Sequence, residues 1–160
     1  MFISKVGEEF ANGLSRRDFS AAHTRHSIER SLKRLETDFI DMVLVHSDGD
    51  DLAILNDTPV YQTLAELKRE GKIRHCGFSG KTFEGGIRAW RDGDCAMVTY
   101  NFNEQTEKPV LDYAAAHGKA ILVKKALASG HICLEPGVDP VRASFELVFA
   151  HPGVASAIVG

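Results

Sequence analysis

Six polar residues stand at the ends of short apolar runs, and most are of a type that binds or polarises a substrate. Lys5 follows Phe2-Ile3-Ser4, His46 follows Met42 to Val45, Ser79 follows Gly77-Phe78, and Asn101 follows Val98-Thr99-Tyr100. Lys124 and Lys125 come after Ile121-Leu122-Val123, and Gly160 after Ala157-Ile158-Val159. Brought to one rim, the lysines, the imidazole and the serine hydroxyl would polarise a carbonyl or hold an anionic ligand.

Such convergence needs a scaffold that points strand ends the same way. Between the apolar runs lie segments with helical spacing: Ile28, Leu32 and Leu35, begun by Asp18 or Ser20 as cap; Val60, Leu64 and Leu67, ended at Gly71; and Phe83, Ile87 and Trp90. Pro109 to Ala116, ended at Gly118, and Val141, Phe145 and Val148 continue the series. Strands at Phe2 to Val6, Phe39 to Val45, Ile73 to Phe78, Cys95 to Tyr100, Ala120 to Val123 and Ala155 to Val159 alternate with these helices. No two-residue turn between paired apolar runs signals a hairpin. About six parallel strands joined by helical crossovers are therefore expected, in an α/β protein of one domain spanning residues 1–160. Ligands bind such sheets at the carboxyl ends of the strands, where the six residues fall.

Composition narrows the function classes. The chain has 160 residues, 44% of them hydrophobic, and a formal charge of −3, with no basic block of the kind nucleic acid requires. No apolar stretch is long enough to cross a membrane, and the start lacks the pattern of a secretory signal, so a cytoplasmic protein with no membrane or nucleic-acid partner is expected. Cys76, Cys95 and Cys133 have no metal-ligand spacing and read as reduced, mostly buried thiols. His23, His26, His117, His131 and His151 read as surface or capping residues, and Trp90 as core.

Two motifs invite a sharper reading. Gly80-Lys81-Thr82 after a strand looks like the end of a phosphate-binding loop, but the motif requires glycine where His75 stands. What remains is a helix N-terminus behind small residues, suited to an anion or a polar amide. Asp48, Asp50 and Asp51 lack calcium-loop spacing and read as a solvated acidic loop, so no metal site is expected. A metal-dependent hydrolase built on His46 and these aspartates ranks last, because paired acidic or histidine strand ends are missing.

In their order along the chain, several stretches resemble the aldo/keto reductase family. They are Phe2 to Gly7, Ser27 to His46, Leu67 to Arg74, Gly77-Phe78-Ser79, Tyr100-Asn101, Leu127 to Gly130 and Ile158-Val159-Gly160. The resemblance implies a (β/α)8 barrel, of which these strands are the third to the eighth, that reduces a small-molecule aldehyde or ketone with NADPH by hydride transfer. It implies that Lys5 and His46 are the family's catalytic lysine and histidine. A cation beside a phenol draws its pKa down, and a neutral imidazole orients the carbonyl. The family's tyrosine and aspartate have no counterpart here. In this reading the chain is a fragment lacking two βα units and the C-terminal tail, inactive on its own.

The resemblance further implies a cofactor site at Ser79, Gly80, Met97, Lys124, Lys125, Leu127 and Gly160. Ser79-Gly80 replaces the usual Ser-Asn, Met97 a usual glutamine, and Lys124 an aromatic that commonly stacks on the nicotinamide. The alternative is a non-catalytic partial barrel that binds a nucleotide or a protein.

Overall fold

In the computed structural model, which describes residues 1–132 and 134–159, the apolar runs pair side by side in chain order. Cys133 and Gly160, both assigned above, lie outside the described residues. The elements are β1 (Ile3–Val6), β2 (Glu8–Ala11), β3 (Leu14–Arg17), α1 (Ala21–Leu35), β4 (Ile40–His46), α2 (Asp51–Asp57), α3 (Val60–Arg69), β5 (Ile73–Ser79), α4 (Phe83–Asp92), β6 (Cys95–Thr99), α5 (Lys108–Ala116), β7 (Ile121–Lys124), a 3-10 turn (Ala128–Gly130), α6 (Pro140–Phe149) and β8 (Val154–Ile158). Six parallel strands in the order β1-β4-β5-β6-β7-β8 form a curled half-barrel, and β2 with β3 forms a separate antiparallel ribbon.

The central strands β4 to β7 are largely apolar and bury most of their residues, as strands covered on both faces do, whereas the outer strands β1 and β8 are mostly part-buried or exposed. Successive side chains point to opposite faces. Val43 and Val45, Ala96 and Val98, and Ile121 and Val123 join the large core under the helices, with Ile28, Leu64, Leu67, Phe78, Leu111 and Val148. Their neighbours Leu44, Cys95, Met97 and Leu122 turn to the concave side and pack with Ile3 and Met42.

Three expectations are corrected. Asn12-Gly13 does close a hairpin, that of β2 and β3, with Asn12 at φ 52° and Gly13 at φ 78°, as a two-residue turn of this type requires. Its strands are mostly polar and exposed, so no apolar alternation announced it. The acidic loop after His46 holds helix α2, capped by Asp50, whose side chain accepts the Ala53 N–H. Helix α4 buries Gly85, Gly86, Ala89 and Trp90, while Phe83 is exposed and Ile87 half-buried. The glycines let the helix approach closely: a Cβ on Gly86 would meet Val110 at 2.7 Å.

Other expectations hold in part. Ser20 caps α1, and of Ile28, Leu32 and Leu35 only the first is fully buried. In α6, Val148 alone of the expected three is buried, and Val141 is exposed.

Candidate active site

Parallel pairing carries the ends of β1, β4, β5 and β7 to one rim. The register sets Lys5 beside Leu44, His46 beside Ser79, Ser79 beside Met97, and Thr99 beside Lys124. At that rim opens a cavity of about 570 Å³ whose lining includes Lys5, His46, Lys81, Lys124, Lys125 and Leu127. The fold thus brings together five of the residues singled out in the sequence. Among the described residues four lysines and no carboxylate line it, a donor set suited to a ligand that carries phosphates or another anionic group.

The remaining expected residues lie beneath or beside the cavity. Ser79 is 1% exposed, and its hydroxyl accepts from Lys124 Nζ at 3.2 Å, while the Gly80 carbonyl accepts a second bond from the same ammonium. Lys124 therefore covers Ser79 and meets a ligand first. Met97, also 1% exposed, packs in the concave cluster with Leu44 and Leu122. Asn101 is buried: its Nδ2 donates to the Lys125 carbonyl at 2.8 Å, and its Oδ1 accepts the N–H groups of Asn103 and Glu104. This ties down the turn in which Lys125 adopts φ 55°.

Burial lowers the pKa of Lys124, Glu107 opposes that shift, and the charge of Lys5 adds to it. Glu107 was not singled out in the sequence. It is 3% exposed and accepts the Thr99 N–H through Oε2 at 2.8 Å, and its other oxygen has no partner among the described residues. Burial pushes its pKa up, against the pull of the Thr99 N–H and Lys124. The available signal was a carboxylate just ahead of the Lys108-Pro109 helix start.

The ribbon leans on the same rim. Glu8 Oε2 lies 2.6 Å from His46 Nδ1, and Arg17 reaches Glu8 at 3.0 Å. The Ser15 hydroxyl bonds the other Glu8 oxygen, and with Arg17 and His46 it draws the Glu8 pKa below the ordinary carboxylate value. His46 has its pKa lowered, first by burial and then by Lys5, with Glu8 pulling the other way. The ring is thus mostly neutral at pH 7.

The helix start expected to attract an anion already has one. Asp51, 1% exposed, reaches across from α2, and its Oδ2 accepts the backbone N–H groups of Lys81 and Thr82 and the Thr82 hydroxyl, each at 2.8 Å. Its other oxygen accepts from Ser47. Asp51 is therefore a structural anchor, which corrects both the solvated-loop and the anion-site expectations.

Cys76 and Cys95 are buried free thiols. Among the described residues no group of three His, Cys, Asp or Glu stands close enough to hold a metal ion, and no helix is long and apolar enough to cross a membrane. None of the chain's three tyrosines, and no aspartate among the described residues, lines the cavity.

Comparison with known proteins identifies the family. The model of the aldo/keto reductase family matches residues 1–159. A solved structure of a putative aldo-keto reductase from Pseudomonas aeruginosa is 69% identical with a TM-score of 0.90, and the match covers 99% of this chain and 60% of that one. The aldo-keto reductase YhdN of Bacillus subtilis is 32% identical over 133 residues, 81% of this chain and 39% of its own length. The holo form of an aldo-keto reductase from Bacillus halodurans, 23% identical, shares the fold with a TM-score of 0.77. The chain thus spans about two fifths of the curated relative and three fifths of the Pseudomonas structure.

Proposed function

This chain belongs to the aldo/keto reductase family, and from that premise we propose that its protein is an oxidoreductase that reduces small aldehydes or ketones to alcohols with NADPH by hydride transfer. The observation that carries the proposal is the meeting of Lys5, His46 and Lys124 on one cavity at the strand ends. Lys5 supplies fixed positive charge beside the reacting oxygen, and His46 orients the carbonyl. Lys124, Lys125 and Leu127 would hold the nicotinamide end of the cofactor. Ser79, Gly80 and Met97 support that surface from below, and Gly160 belongs to the same assignment. When bound, the reduced nicotinamide supplies the hydride. The ammonium groups suit the cofactor's phosphates, and a cytoplasmic setting is part of the same reading.

The test is Lys5→Met in the full-length protein, followed by carbonyl-dependent NADPH oxidation. Loss of at least about a hundredfold in kcat/KM is expected. Unchanged reduction would overturn the assignment.

A second reading, a non-catalytic barrel segment that binds a nucleotide or a protein, is favoured by the lack of any tyrosine or aspartate on the cavity among the described residues. Carbonyl-dependent NADPH oxidation by the 160-residue chain alone would exclude it.

A further inference from the structure

Lys81 lines the cavity with Lys5, Lys124 and Lys125, and neither the role given to Lys5 and His46 nor the cofactor surface makes use of it. It is the centre of Gly80-Lys81-Thr82, whose helix start Asp51 already satisfies. The side chain is exposed yet held at both ends. At its base the Lys81 N–H donates to the buried Asp51 carboxylate at 2.8 Å, and at its tip Nζ donates to the Asp48 carbonyl at 3.0 Å. Between these bonds the stem passes Gly49, where a Cβ would stand 4.0 Å from Lys81 Cδ. A lysine fixed in this way has less rotamer freedom to lose when a ligand arrives.

The tether also sets where the charge stands. Asp48 belongs to the loop that leaves His46, and in that loop the Ser47 N–H donates to the Ser79 carbonyl at 3.3 Å, joining it to the end of β5. The Lys81 ammonium is thus tied to the loop beside His46, while Lys125 and Leu127 stand on the loop that leaves β7. The Asp48 carbonyl takes one of the three ammonium protons and none of the charge. Lys68, Lys72 and Lys108 each pair with a carboxylate; among the described residues Lys81 pairs with none. The nearby acids serve their own loop, Asp48 accepting the Asp50 N–H and Asp50 the Ala53 N–H, and neither lines the cavity. Two remaining protons and one uncompensated charge match a carboxylate.

We propose that Lys81 binds a carboxylate of the substrate, so that the protein favours oxo acids over neutral aldehydes and ketones of the same length. The anion site stands on the tethered lysine; its use by a substrate rests on the reductase reading, in which His46 orients the carbonyl.

The experiment compares 4-oxobutanoate with butanal, an aldehyde of the same chain length that lacks the carboxylate, as substrates of the full-length protein. The wild type is expected to show the higher kcat/KM for 4-oxobutanoate, with a KM that rises as salt is added. Lys81→Met is expected to lower the ratio of the two kcat/KM values at least about tenfold. A wild type that prefers butanal, or a ratio unmoved in Lys81→Met, would overturn the proposal. Succinate, which has no aldehyde to reduce, is titrated into the same two proteins by calorimetry without cofactor. Binding at least about tenfold weaker in Lys81→Met is expected, and equal binding would remove the anion site. If neither aldehyde drives NADPH oxidation, the reductase reading fails, and the succinate titration still decides Lys81.

Discussion

The carboxylate of Asp51 holds Thr82 twice, accepting its backbone N–H and its hydroxyl at 2.8 Å each, and so fixes the start of α4 to the start of α2. Removing the carboxylate leaves three part-buried donors and the buried Ser47 hydroxyl without their partner, which costs more than the bonds themselves were worth. Asp51→Ala is expected to lose about 3 kcal/mol of unfolding free energy in urea, and Asp48→Ala, on the exposed side of the same loop, about 0.5 kcal/mol or less. Equal losses would remove the anchoring role.

Gly77 lies where β5 passes β6, and a Cβ there would stand 2.3 Å from the Cys95 carbonyl oxygen. Backbone cannot yield as a side-chain tip can. Gly77→Ala is expected to cost about 3 kcal/mol. Gly118→Ala, with open space around it but φ +63°, is expected to cost about 1 kcal/mol. Denaturant midpoints rank the two, and a reversed order would contradict this packing.

Lys124 has a pKa below its ordinary 10.5, because burial disfavours the ammonium. Below the folded-state value the lysine is charged in both states and the burial cost is present in full. As pH rises through that value toward 10.5, the folded protein sheds the proton first and the cost fades. The stability of the wild type relative to Lys124→Met is therefore expected to rise as pH climbs toward 10.5, as read from urea unfolding across the alkaline range. A falling or flat difference would mean the ammonium is not penalised.

Burial pushes the thiols of Cys76 and Cys95 up to about 11. In a Cys133→Ser background, both are expected to react with an aromatic disulfide at pH 8 at least about a hundredfold more slowly than in urea, since thiolate is scarce and access closed. Rapid labelling of the native protein would place these strands in a more open arrangement.

Much of the rim was legible because one rule serves every parallel strand: the polar residue that ends an apolar run sits at the ligand side. Lys5, His46 and Lys124 followed from it directly. Asp51 did not, since an aspartate among aspartates carries no mark of burial; its role comes from donors contributed by Lys81 and Thr82 across the fold. Glu8 was hidden for a related reason. The ribbon that carries it is polar on both sides, so neither alternation nor apolar content distinguished it from loop, although Asn12-Gly13 was present as a turn signal. In α4 the buried face is made of Gly85 and Gly86, which hydrophobic periodicity counts as empty.

In the parallel sheet, each interior strand pairs with the nearest parallel strand before it and the nearest after it along the chain. To complete its ladder each interior strand waits only on the next strand of the sheet to be made. The half-barrel can therefore be laid down strand by strand as the chain leaves the ribosome, each new strand finding its template already in place. The bonds from Lys124 back to Ser79 and Gly80, and from Asn101 to the Lys125 carbonyl, close late among the rim contacts, so the binding surface matures after the strands that bear it.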